Sequence, residues 1–271
     1  MNTPPAMLAQ SVVRHESGVA VTQSDWLVQE VPIAMVFNGV SHAVMMATPS
    51  DLEDFARGFA WTEGIVQDVH EWLDVEIVEE PIGIRLEIAV AAACEWRMKE
   101  RRRQLAGRTG CGLCGIEQLA HIQLNPTPVP PTVVQVSQML EVLATLAASQ
   151  PLQQHTGAAH AAAWVDLEHG PLWVREDVGR HNALDKAIGA ALAGKADPQK
   201  AWLAITSRAS FEMVQKASMA GVGALAAISA PTSLAVSCAE KAGVALAGFV
   251  RPPKWVAYTY PERWQTAPAV A

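Results

Sequence analysis

Three apolar runs decide how this chain is read: Trp202-Leu203-Ala204-Ile205-Thr206, Ala224-Leu225-Ala226-Ala227-Ile228-Ser229 and Val244-Ala245-Leu246-Ala247-Gly248-Phe249-Val250. Each has the length of a strand and is apolar at nearly every position, as a strand buried on both faces must be. Helical patterns starting at Phe211 and Thr232 separate them. Strands alternating with helices of that length predict a largely parallel sheet covered on both faces. Trp255 to Thr259 adds a further strand, and Ala158 to Val165 with Pro171 to Val174 form neighbouring strands upstream. Asn182 is the expected N-cap of a helix ending near Gly194.

Working toward the N-terminus, Met139, Leu140, Leu143, Leu146 and Ala147 recur at helical spacing. Before them, Pro126, Pro128, Pro130 and Pro131 mark an extended connector, because proline can feed neither a sheet ladder nor a helix interior. The domain boundary is placed there, giving an N-terminal β-rich subdomain over residues 1–125 and an α/β domain over residues 126–271. In the first part, Asn38-Gly39 suits the positive φ angles of a tight hairpin. Ser50 and Glu53 form a capping box for a helix that stops at Gly64. Ile82, Ile84, Leu86, Ile88 and Val90 alternate with small or polar residues as a half-buried strand does, with Val75 and Ile77 beside it. Glu95 to Leu105, with Lys99 and Arg101 to Arg103, reads as an exposed helix whose charge is either a solvated face or a docking surface.

The 271 residues are half hydrophobic and carry a net charge of -7. That balance excludes a generic phosphate-backbone binder, so no nucleic acid is expected. The longest apolar stretches fall short of the roughly 18 residues a membrane span needs. Nothing before Arg14 joins a charged region to an apolar one, so a soluble cytoplasmic chain is expected. In that compartment the four cysteines are thiols rather than a disulfide framework. Cys94 and Cys238 have apolar settings and read as core residues.

Gly110-Cys111-Gly112-Leu113-Cys114-Gly115 is different in kind. Glycines allow positive φ and close approach of a partner, and Arg108 with the amides of a helix near Ile116 would favour the thiolate. The pattern admits half a metal site, a redox dithiol or a sulfur carrier. A closed zinc site needs four ligands, and no second CxxC or spaced histidine pair is present, so no metal is expected. A thioredoxin-like centre sits at a strand end and a helix start, whereas here a basic helix and Gly-Arg-Thr-Gly come first.

A second dense segment is Arg175-Glu176-Asp177-Val178-Gly179-Arg180-His181-Asn182. At a strand end facing a helix start it is either an anion-binding loop or an internal ion-pair network, and Ser207-Arg208 ends the next strand beside it. Phe249-Val250-Arg251-Pro252-Pro253-Lys254 ends another strand with two cations able to grip phosphates.

Gly110 to Gly115, Arg175 to Gly189, Phe249 to Lys254 and Thr62-Glu63-Gly64-Ile65 together resemble the formate dehydrogenase accessory sulfurtransferase family, FdhD, over nearly the whole chain. The resemblance implies an enzyme that takes sulfur from a cysteine desulfurase as a persulfide and passes it to the molybdenum cofactor of formate dehydrogenase. By motif position it implies Cys111 as the persulfide-bearing residue with Cys114 as its partner. It implies Phe249, Val250, Arg251, Pro252, Pro253 and Lys254 as the segment binding bis-molybdopterin guanine dinucleotide. It also implies a cytidine-deaminase-like α/β/α fold for the larger domain, although His160-Ala161-Ala162 and the lack of a Pro-Cys-x-x-Cys leave it without deaminase chemistry. A homodimer is expected. A cofactor-binding chaperone and a CxxC thiol oxidoreductase are the alternatives, and the sequence leaves open which of Asp177, Arg180, His181, Ser207 and Arg208 meet the ligand.

Overall fold

The computed structural model describes residues 5–106 and 126–266, and the backbone alone for residues 100–106. The chain opens with a hairpin that its alternating residues did not announce, β1 (Met7–Glu16) antiparallel to β2 (Val19–Val28). Ser17 and Gly18 make the turn, both at positive φ. A two-stranded ribbon is marginal by itself, and this one leans on a short helix farther along the chain.

β3 (Val31–Phe37) and β4 (Val40–Ala47) follow, joined as expected through Asn38 and Gly39 at positive φ. The Asn38 side chain also locks this turn to the next hairpin, donating to the Val90 carbonyl and accepting from the Val90 amide, both at 2.9 Å. Helix α1 (Leu52–Thr62) starts one residue later than a Ser50 cap would require. Asp51, in the left-handed region, occupies the cap position with no side-chain hydrogen bond to the helix, and the Ser50 hydroxyl has no partner. The capping box therefore does not form. β5 (Trp72–Glu80) pairs antiparallel with β6 (Gly83–Val90), and Ile82 falls in their turn, exposed, instead of in the strand. The sheet runs β4-β3-β6-β5. Its buried face, Ile33, Met35, Phe37, Ile84, Leu86 and Ile88, packs on Leu52, Phe55, Ala56 and Phe59 of α1.

Helix α2 (Ala92–Ala106) brings Cys94 and Met98 into the same core. Its Arg97 donates to both Glu71 carboxylate oxygens and to the Ile65 carbonyl. The hydrogen bond from Arg97 is the main reason the Glu71 carboxyl is lowered from 4.5 to about 2. A depressed carboxyl contributes stability above its unfolded value and loses it as pH falls through the folded one. The urea midpoint of the wild type should therefore exceed that of Glu71→Gln most at pH 6, and the gap should shrink between pH 4.5 and 2. A gap that stays constant at pH 3 would show that the ion pair does not stabilise the fold.

After the proline connector come β7 (Val134–Gln135), α3 (Val136–Thr145), α4 (Pro151–Thr156), β8 (His160–Asp166), β9 (Gly170–Asp177), α5 (Arg180–Ala193) and β10 (Ala201–Ile205). The chain continues through α6 (Phe211–Met219), β11 (Ala224–Ala227), α7 (Ser233–Ala242), β12 (Ala245–Arg251), β13 (Lys254–Ala257) and β14 (Trp264–Gln265). The large sheet runs β13-β12-β11-β10-β8-β9. It is mixed rather than largely parallel: β9 to β12 share one direction, while β8 and β13 oppose them. Both exceptions arise from hairpins, whose short turns can only join antiparallel strands.

Helices α5, α6 and α7 pack on one face of this sheet and α3 on the other. The fold is thus mixed α/β, and among the described residues no helix is long and apolar enough to cross a membrane. Helix α1 of the small sheet lies against α5 of the large one at glycine contact distance. A Cβ on Gly58 would stand 1.8 Å from the Asp185 carbonyl oxygen, and one on Gly189 would stand 1.9 Å from that of Asp54. Only hydrogen fits at that crossing.

Candidate functional site at the carboxyl rim of the large sheet

Parallel strands deliver their carboxyl ends to one rim, where α/β sheets commonly bind ligands. Here that rim carries the loop after β9, Ser207 and Arg208 after β10, Ser229 after β11 and the turn after β12. His160, at the start of the antiparallel β8, pairs with Asp177 and so joins them. Neighbouring loops are tied together: the Thr206 amide donates to the Ala161 carbonyl at 3.0 Å, Ile228 to Ile205 at 3.0 Å, and Phe249 to Ser229 at 3.1 Å.

The dense motif at Arg175 divides between two tasks. Arg175 pairs with Asp54 of α1 at 2.9 Å. Glu176 accepts from the Leu152 and Gln153 amides at 2.9 Å, capping α4, while burial pushes its carboxyl above the usual value. Asp177 is fully buried and binds Lys186, also fully buried, at 2.6 Å. It further accepts from the Thr48 and Gly179 amides and from Asn182 Nδ2. Asn182 is consequently not the helix cap. Gly179 takes that position, and Asn182 turns inward from the first turn to donate to the Met46 carbonyl as well. Farther along α5, Asp185 meets Thr62 at 2.7 Å and Lys216 at 2.9 Å, and Lys216 also reaches Glu63 at 3.2 Å. Burial disfavours the Lys216 charge, but Asp185 and Glu63 outweigh it and hold the ammonium above its ordinary value. Thr62-Glu63 and Asp185, far apart in the chain, are therefore joined through the ammonium of Lys216.

What remains for a ligand is Arg180, His181 and His160. Both histidines are held below the usual imidazole value, first by burial and in part by the Arg180 charge. His181 Nε2 stands 2.8 Å from a Glu212 carboxylate oxygen, but at an angle outside hydrogen bonding, so the contact is electrostatic. Ser207 is buried and donates to the Arg208 carbonyl, whereas Arg208 itself is exposed.

At the far end of the rim, Phe249 is an exposed non-glycine residue at φ 51°, an unfavourable conformation for an aromatic side chain. It coincides with a register shift between β12 and β13 after which Arg251 pairs directly with Lys254. The turn thus sets the two cations on one face with Phe249 exposed nearby, while Val250 points into the core. Cys111 and Cys114 lie outside the described residues, as do Arg108 and the expected helix near Ile116. Cys94 and Cys238 are buried, and burial pushes both thiols up, consistent with packing roles.

The charge pattern separates rim from body. Arg14, Arg57, Arg85, Arg97, Arg175 and Arg263 are each paired with a carboxylate. Among the described residues, Arg180, Arg208 and Arg251 are not, and all of them stand at this rim. Unpaired guanidinium groups gathered at one edge suit an anionic ligand.

The sequence profile of the FdhD/NarQ family matches residues 28–265. The chain belongs to that family. It is 48% identical over 261 residues to the sulfur carrier protein FdhD of Bordetella petrii, covering 95% of this chain and 94% of the relative. The sulfur carrier protein FdhD of Variovorax paradoxus is 52% identical over 254 residues, covering 93% and 91%. A solved structure from Desulfotalea psychrophila, described as a formate dehydrogenase accessory protein, shares the fold with a TM-score of 0.75 at 23% identity, over 96% of this chain and all of that one. In this FdhD/NarQ chain, no motif in the sequence marks His160 as a rim residue. A cue was present, since it sits where an apolar alanine run begins.

Proposed function

We propose that this protein is a sulfur carrier that accepts sulfur on Cys111 from a cysteine desulfurase and delivers it to a molybdenum cofactor destined for formate dehydrogenase. The observation that carries the reading is the set of unpaired arginines along one rim, ending at the Phe249 to Lys254 turn. Such a rim suits a phosphate-bearing cargo such as bis-molybdopterin guanine dinucleotide, with Arg251 as a planar fork and Lys254 as a point charge. The names of the relatives support the sulfur-carrying half.

In the proposed step, the Cys111 thiolate attacks the terminal sulfur of the desulfurase persulfide. A new sulfur-sulfur bond forms on Cys111, the bond on the donor breaks, and the donor cysteine leaves as thiolate. The rim holds the cargo while the sulfur is discharged toward the metal. With Cys114 as resolving thiol, its thiolate attacks Cys111 Sγ, the persulfide S–S bond breaks, the Cys111–Cys114 disulfide forms and sulfide leaves; with Cys114 as relay, the terminal sulfur moves first to Cys114 and the Cys111 thiolate then closes the same disulfide as sulfide leaves. The glycines flanking both cysteines suit a loop that must meet a protein first and a bulky cofactor second. The mixed sheet with helices on both faces supports reading residues 126–271 as the cytidine-deaminase-like, cofactor-binding domain and residues 1–125 as the subdomain that carries the cysteines. A homodimer, which would offer two alike rims to a cofactor with two alike halves, belongs to the same proposal.

Peptide mass spectrometry after incubation with a cysteine desulfurase, cysteine and a thiol-blocking reagent tests the reading. An added sulfur on Cys111 is expected. Unmodified cysteines in a mixture with active desulfurase would instead favour a cofactor-binding chaperone without sulfur transfer, and a Cys111-Cys114 disulfide with turnover of disulfide substrates would favour a thiol oxidoreductase.

A further inference from the structure

We propose that Arg180, with His160 and His181 near it, forms a second phosphoryl-binding subsite at the opposite end of the rim from Arg251 and Lys254. The first reason is an orphan. Arg180 Nε is buried without a hydrogen-bond partner, and no described carboxylate lies within ion-pair distance of its guanidinium. A buried charged donor left unsatisfied is costly and uncommon, and it points to an acceptor that arrives from outside. The second reason is the company it keeps. The two imidazoles near it carry N–H donors that can serve an oxyanion, although His181 Nε2 already stands 2.8 Å from a Glu212 carboxylate oxygen.

The third reason is how firmly the loop is held. Asp177, Asn182, Lys186 and Thr48 fix the backbone on which Arg180 and His181 sit, so the guanidinium is presented from a rigid strand-to-helix junction. Spacing sets the class of ligand. From β12 to β9 the sheet crosses four strand intervals, or about 19 Å at the usual inter-strand distance. A lone small oxyanion cannot touch both ends, whereas an extended polyanion such as a dinucleotide can, with Arg208 exposed between them. This inference rests on the cofactor reading for the identity of the natural ligand, but its test does not.

The test is a titration of the full chain with inorganic pyrophosphate, followed through the imidazole proton resonances of His160 and His181. Saturable shifts of both resonances are expected. Arg180→Ala should abolish them or weaken the apparent affinity at least tenfold, and Arg180→Lys should restore only part, since an ammonium lacks the planar fork. Lys195→Ala, which removes a like charge past the other end of α5, should titrate as the wild type does. Resonances that do not move in the wild type would overturn the subsite, as would an Arg180→Ala protein titrating normally or a loss of equal size in Lys195→Ala. Failure of the cofactor reading would look different: the desulfurase would leave Cys111 unmodified while the titration stayed intact.

Discussion

Replacing Cys111 with alanine is expected to abolish activation of formate dehydrogenase in an assay that supplies the desulfurase, cysteine and sulfur-free cofactor, with the melting temperature within a degree or so of the wild type. The size follows from the chemistry. A persulfide needs a sulfur atom on the residue that first meets the donor, and alanine offers none. Whichever part Cys114 plays, Cys114→Ala should still take up sulfur on Cys111 but fail to discharge it, so that peptide mass spectrometry finds the persulfide accumulating there. The buried Cys94 and Cys238 serve as internal controls, because neither thiol is exposed to a protein donor. Substantial activation by the Cys111→Ala protein would rule out the carrier mechanism and leave delivery of the cofactor as the role.

The second large effect is expected in the core. Lys186→Met should cost about 3–5 kcal/mol of folding stability, read as a lowered urea midpoint, since it strips Asp177 of its cation where neither group meets solvent. Asp177 would keep its hydrogen bonds from Thr48, Gly179 and Asn182, yet its charge would stand uncompensated. Combining Asp177→Asn with Lys186→Met should recover part of that loss, because removing both charges together removes the cost of burying one alone. The loop bearing Arg180 hangs on this pair, so the single variant should also weaken pyrophosphate binding, and the double variant should regain some of it. A double variant no more stable than Lys186→Met would mean that the pair serves geometry more than charge.

The two predictions fall on different sides of what sequence can show. Several features that depend on residues adjacent in the chain were legible in the sequence. Asn38-Gly39 dictated a hairpin through backbone conformation alone, the apolar runs at Trp202, Ala224 and Val244 dictated buried strands through their lack of polar residues, and the helical pattern from Thr232 matches the helix that begins at Ser233. The glycine-flanked cysteines and the Arg175 to Lys186 string were likewise visible as unusual chemistry before any fold was known, and they placed the chain among its relatives.

Tertiary structure decided the division of labour within that string. Arg175 answers to Asp54, Asp177 to Thr48 and Asp185 to Thr62, partners more than a hundred residues away. The same structure showed that Ser50 caps nothing, that Asn182 turns inward, that β8 opposes its neighbours, and that Gly58 and Gly189 bring two helices into backbone contact. The physical reason is common to all of these. Charge, capping potential and smallness belong to the residue and can be read from the chain, whereas burial belongs to the assembled layers. Burial alone determines whether an acid and a base neutralise each other inside the protein or, like Arg180 at the rim, stand open to something from outside.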